Sequence, residues 1–123
     1  MSEFAATHLD TIRQIALSFP GVEEAETFGS PNWRVKQGML ACPAGHVQED
    51  NILALKVGIM EAEFLIEAEP DVYFLTDHYR SWGGVLVRMD KLSAASLQHI
   101  FEKAWRRLAR KRDIKTYDEK ATT

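Results

Sequence analysis

The chain has 123 residues, 46% of them hydrophobic and 27% charged, with a formal net charge of −3, which describes one soluble domain able to bury most of its apolar surface without staples. Its single cysteine, Cys42, allows no internal disulfide, no apolar run nears the roughly 18 residues a membrane helix needs, and no leader pattern opens it, so a cytoplasmic protein is expected. Residues 1–90 carry 6 Lys/Arg against 14 Asp/Glu and residues 91–115 carry 8 against 2, a balance that opposes strong non-specific nucleic-acid binding but leaves room for a local cationic patch.

Residues 3–18 read as an amphipathic helix, with Ser2 as N-cap and Leu9, Ile12, Ala16 and Phe19 on one stripe, ended by Pro20 and Gly21. Residues 22–28 predict an acidic edge strand, protected by its charge from pairing with another chain. Gly29, Ser30 and Pro31 turn the chain into residues 32–36, and Gln37-Gly38 is a hairpin signal leading to residues 39–42. After a polar stretch, residues 51–57 predict a strand with Leu53, Leu55 and Val57 on one face, and residues 59–68 a helix with Met60, Phe64, Leu65 and Ala68 at helical spacing. A short strand at 72–75 precedes the loop 76–82, where two aromatics, a histidine and an arginine make the best candidate surface. The strongest strand signal follows, with Val85, Val87 and Met89 alternating with Leu86 and Arg88. From Leu92 a last helix runs to about Lys111, and the polar tail from Thr116 is expected to fray. The chain divides into one domain, 1–115, and a tail, 116–123. Its order, α-β(3-4)-α-β(1-2)-α, implies an α+β fold of two layers, an antiparallel sheet with helices packed on one face.

Period two then assigns faces. If Trp33, Val35, Leu53, Leu55, Val57, Val85, Val87 and Met89 point to the helices, Arg34, Lys36, Lys56 and Arg88 point away, with Trp82 in the same row and His78, Tyr79 and Arg80 at its rim. Arg88 should then have Lys56 or Arg34 as its neighbour. Cations interleaved with aromatics suit a nucleic-acid backbone and its bases. Any antiparallel sheet also needs one solvated face, and Glu24 and Glu26 can neutralise Arg34 and Lys36 across the hairpin. On the last helix Lys103, Arg106, Arg107 and Arg110 form a second cationic stripe, or serve the helix dipole and a Glu102–Arg106 pair. Cys42 and His46 lack the second ligand pair of a zinc site. Asp77 and His78, adjacent in an extended segment, face opposite ways, and Gly83-Gly84 reads as close packing or a bulge. No catalytic motif is present, so neither an enzyme nor a cofactor or metal is expected.

Three blocks carry a resemblance: residues 16–41 (ALSFPGVEEAETFGSPNWRVKQGMLA), 53–57 (LALKV) and 71–112 (DVYFLTDHYRSWGGVLVRMD leading to AWRRLARKR). In this order and spacing they resemble the MmcQ/YjbR-like family of small bacterial proteins, through Phe19-Pro20-Gly21-Val22, Trp33-Arg34-Val35, Leu55-Lys56, His78-Tyr79 and Val85 to Arg88. The resemblance implies a frataxin-type (CyaY-like) fold and DNA binding through a double-wing surface. It offers no catalytic residue to carry over. The first expectation is therefore a non-catalytic DNA-binding protein using the open cationic sheet face. The alternative is a non-enzymatic module that binds a protein partner or a small anionic ligand.

Overall fold

The computed structural model describes residues 3–121. In chain order it comprises α1 (Ala6–Ala16), β1 (Glu23–Thr27), β2 (Ser30–Val35), β3 (Gly38–Pro43), β4 (Ile52–Leu55), α2 (Ile59–Ala68), β5 (Tyr73–Phe74), β6 (Val85–Arg88), α3 (Ala94–Leu108) and α4 (Lys111–Ala121). The strands form one antiparallel sheet in the order β1-β2-β3-β4-β6-β5. This is the α+β, two-layer arrangement that the alternation implies, with four strands before α2 and two after it.

All four helices pack on one side of the sheet. There Ile12 and Ala16 of α1, Ala62 and Leu65 of α2, and Leu97, Phe101 and Trp105 of α3 meet Trp33, Leu53, Leu55, Val85 and Val87, with Ile114 and Tyr117 of α4 at the edge. Phe19, just past α1, stacks on Phe101 and lies 5.2 Å from Trp105, whose indole N–H donates to the Pro20 carbonyl at 3.0 Å. The Phe19-Pro20 helix exit therefore serves as a core anchor.

Several local expectations are corrected. The first turn is Phe28-Gly29, both at positive φ, and Ser30 and Pro31 already belong to β2. The second is Lys36-Gln37, closed by Val35 opposite Gly38. Helix α1 begins at Ala6 with Ala5 as its N-cap, and Ser2 lies outside the described residues. On α2 the buried residues are Ala62 and Leu65, whereas Met60 and Phe64 are 85% and 64% exposed. A helix with apolar residues on several faces does not announce which face is core.

The last helix stops at Leu108, where Ala109 turns extended, and residues 116–121 of the tail expected to fray belong to α4, while residues 122–123 lie outside the described residues. Folding α4 back gives Tyr117 two aromatic neighbours, Phe19 at 5.3 Å and Trp105 at 5.1 Å, and its hydroxyl donates to Glu102 at 2.9 Å. Arg106 then bridges Glu102 on α3 and Asp118 on α4. Two apolar residues and an ion-pair network hold this helix, so its hydrophobic periodicity is faint.

Candidate functional site

The alternation of the strands is as expected, but the face away from the helices is not open. Cys42, Ala54, Leu86 and Phe74 are register partners across β3, β4, β6 and β5, and they form an apolar row on that outer face. Ile52, Ala54, Leu86, Ala44 and Tyr79 make a second buried cluster there, with Val47, Leu75 and Trp82 packed against it. The loops 44–51 and 75–84 cover it. The signal was in the sequence: ILAL and VLV are continuous apolar runs, as strands buried on both faces are.

Tyr79, expected at the rim of a binding face, is the centre of this second cluster at 7% exposure. It sits in a 3₁₀ turn, Asp77–Tyr79, and its phenol oxygen accepts from the Gly45 N–H at 2.9 Å, which ties the two loops together. Burial pushes its phenol above the ordinary value. His78 is exposed, and its ring lies 4.1 Å from that of His46. Arg80 is exposed and paired with Asp77 at 3.1 Å.

Arg88 is half-buried and committed. Opposite Ile52 on β4, it makes a two-pronged ion pair with Glu49, Nε to Oε2 at 2.8 Å and Nη2 to Oε1 at 3.0 Å, and lies 4.1 Å over the Phe74 ring. It also donates to the Pro70 and Asp71 carbonyls. The hydrogen bond from Arg88 holds the Glu49 carboxyl below its ordinary value. Its neighbours are thus Glu49 and Phe74, not Lys56 or Arg34, and it serves as a clasp for the loop 44–51. Glu49, in a polar loop without periodicity, gave no sign of this in the sequence.

The remaining four residues of the expected face gather at one end of the sheet. Arg34 is exposed on β2 between Glu23 and Met39, and Lys36 is exposed in the adjoining turn. Lys56 follows β4, its backbone N–H donating to the Leu40 carbonyl at 2.8 Å and its ammonium standing 5.0 Å over the Trp82 ring. Glu24 does not neutralise Arg34. It lies opposite Trp33 on the helix side, where it accepts from the Trp33 indole and from Arg13, and the hydrogen bond from Arg13 holds its carboxyl below the ordinary value.

Two glycines shape this end. A Cβ at Gly84 would collide with the Leu55 carbonyl oxygen and the Trp82 ring, so the glycine pair admits close packing as expected. Gly58 donates to the Gly83 carbonyl at 2.8 Å, and a Cβ on Gly58 would stand 2.8 Å from Arg107 Nε. Arg107 of α3 therefore reaches the same end of the molecule as Lys56. Of the α3 stripe, Lys103 pairs with Glu61, Arg106 with Glu102 and Asp118, and Arg110 with Asp113. Among the described residues Arg34, Lys36, Lys56 and Arg107 have no carboxylate within 4.0 Å.

Cys42 lies in the apolar row, and burial pushes its thiol up while Lys56 pulls it down. Among the described residues no group of three or more His, Cys, Asp or Glu could hold a metal ion, and no helix is long and apolar enough to cross a membrane.

A family model described as YjbR matches residues 17–107. The crystal structure of the Deinococcus radiodurans protein DR2400, with a domain described as DUF419, is similar to this chain at a TM-score of 0.66 and 22% identity, covering 84% of this chain and 79% of that one. No curated protein matches.

Proposed function

The chain belongs to the YjbR family, and from that premise we propose a non-catalytic cytoplasmic protein that binds DNA through one cationic end of its sheet rather than through a whole open face. The observation that carries this reading is selective pairing. Eight cations, Arg13, Arg80, Arg88, Lys103, Arg106, Arg110, Arg112 and Lys115, are matched to carboxylates, while Arg34, Lys36, Lys56 and Arg107 lie unmatched toward one end; of the other unmatched cations, Lys91 follows β6 and Lys111 opens α4. Unmatched, clustered cations on an acidic body create a local field for phosphates that the net charge does not suggest. Trp82 has Lys56 over its ring and Gly84 packed against it, so it supports the position of the Lys56 ammonium better than it stacks a base. Contacts of this kind track a backbone and do not read sequence.

The test is duplex-DNA binding by fluorescence anisotropy at 50 and 200 mM salt. Four phosphate contacts give a slope near −3.6 in log affinity against log salt, a fall of roughly 150-fold over that range. Replacing Arg34, Lys36 and Lys56 by Gln should bring the slope to about −0.9. An unchanged slope in that variant, or no binding by the wild type at low salt, removes the DNA reading. The net charge of −3 favours the competing reading, a site for a protein or a small anion. Pyrophosphate binding that the same triple variant abolishes, with no DNA binding, would establish the small-anion form.

A further inference from the structure

We infer that the outward face of α2 is a docking site for a basic amphipathic segment of another protein. Met60, Glu63, Phe64 and Glu67 recur at i, i+3, i+4 and i+7 and so form one stripe along the helix. All four are exposed, Met60 and Phe64 being among the most exposed large apolar side chains of the described residues. Beside the stripe runs a groove of about 410 Å³ between α2 and the loop 75–84, lined by Ile59, Ala62, Ile66 and Leu75, with Glu63 and Glu67 on one rim and Arg80 on the other. Apolar anchors beside a groove of this kind take the apolar side of a partner helix.

The charge selects the occupant. Arg80 is already held by Asp77, whereas Glu63 and Glu67 have no cationic partner within 4.0 Å among the described residues. A second copy related by a twofold axis would set these carboxylates against their own equivalents, which is repulsive. Arg106 and Arg110 of a second copy are likewise committed, to Glu102 and Asp118 and to Asp113, and its unmatched cations bring no free apolar helix face with them, Arg34, Lys36 and Lys56 standing at the sheet end and Arg107 on α3, whose apolar face is buried. An anionic lipid surface would meet the same two carboxylates. A partner helix with leucine-type anchors flanked by Lys or Arg satisfies both the groove and its acidic rim. The groove adjoins the proposed DNA site at Gly84, but none of that site's cations lines it, so either can fail alone.

The probe is a fluorescein-labelled amphipathic peptide with leucines at helical spacing and lysine elsewhere, beside a twin carrying glutamate in place of lysine. The wild-type chain should bind the lysine peptide, and M60S/F64S should weaken it at least about 10-fold while circular dichroism stays native, because both side chains already face water. E63K/E67K should exchange the preference, binding the glutamate peptide at least about 10-fold better than the lysine one. The proposal is overturned if the lysine peptide does not bind, if E63K/E67K leaves the preference unchanged, or if both peptides bind the wild type alike. A dimer in sedimentation that M60S/F64S dissolves would assign the face to a second copy instead. Co-sedimentation with phosphatidylglycerol vesicles, lost in the same variant, would assign it to a membrane.

Discussion

Truncating Tyr79 separates a keystone from a binding-rim residue. The ring is buried among Ala44, Ile52, Ala54 and Leu86, and Trp82 meets it edge-on at 5.7 Å. Tyr79→Ala should therefore cost about 3–5 kcal/mol, the range for deleting a buried aromatic that neighbours refill incompletely. Tyr79→Phe keeps the ring and removes only the acceptor for the Gly45 N–H. Because Gly45 is exposed, water can replace that acceptor, and the cost should be about 1 kcal/mol or less. For a domain of this length 1 kcal/mol is about 4 °C in Tm, so the two variants should melt about 12–20 °C and about 4 °C below the wild type. Far-UV circular dichroism is the suitable probe, since Trp82 sits against the mutated side chain and its fluorescence would report the local change. If Tyr79→Ala stays within about 0.5 kcal/mol of wild type, as exposed substitutions do, the outer cluster is not a second core. If Tyr79→Phe costs as much as Tyr79→Ala, the hydrogen bond rather than the ring closes the loops.

Gly84→Ala should destabilise by about 1–3 kcal/mol or more in a urea melt, because the added methyl meets a strand carbonyl that cannot move aside; a neutral result would contradict the contact with Leu55. Arg88→Ala should cost about 2 kcal/mol, from its charged hydrogen bonds to Glu49 and its position over Phe74, while leaving DNA affinity and salt slope unchanged. Equal stability of that variant, or a reduced salt slope, would return Arg88 to the binding surface. The folded chain holds the Glu49 carboxyl below its ordinary 4.5, so its contribution is complete above that value and disappears as pH falls through the lowered one. The stability difference between wild type and Glu49→Gln should accordingly be full at neutral pH and shrink as pH falls below 4.5, with chemical denaturation at descending pH as the check.

The order and type of most elements were legible because their signals are local. Alternation in Val85, Val87 and Met89 and in Leu53, Leu55 and Val57 placed these residues on the helix side, where all six are buried. Boundaries failed where one residue can serve two roles. Gly29 and Gly38 both signalled turns, yet Gly38 is the first residue of β3, and the turn before it is made by Lys36 and Gln37. Helix α4 escaped notice for a different reason: its hold on the body is Tyr117 between Phe19 and Trp105 and Arg106 between Glu102 and Asp118, contacts whose partners are distant in sequence or lie on another helix. Nothing local to residues 111–121 records them.

Period two assigns a side chain to a face but cannot say what covers that face, and the expected site divides along this line. Arg34 and Arg88 do point away from the helix layer, yet Arg34 meets water while Arg88 meets Glu49 and Phe74, because only the β4–β6 part of the sheet lies beneath the loops 44–51 and 75–84. The loops can cover only strands that offer them apolar outward residues. Ile52, Ala54 and Leu86 do, and burying such side chains gains about 25 cal/mol for each Å² removed from water. Arg34 and Lys36 on the β2–β3 hairpin offer charge and stay uncovered. An outward apolar residue therefore predicts a cap on its strand, and an outward cation on a neighbouring strand predicts where the cap ends. On that argument Leu86→Lys should do more than add a charge: it should uncover β6, raise amide exchange through 75–84, and leave exchange in the β2–β3 hairpin as it was. Uniform exchange across both regions would mean that the outer cluster and the hairpin open as one unit.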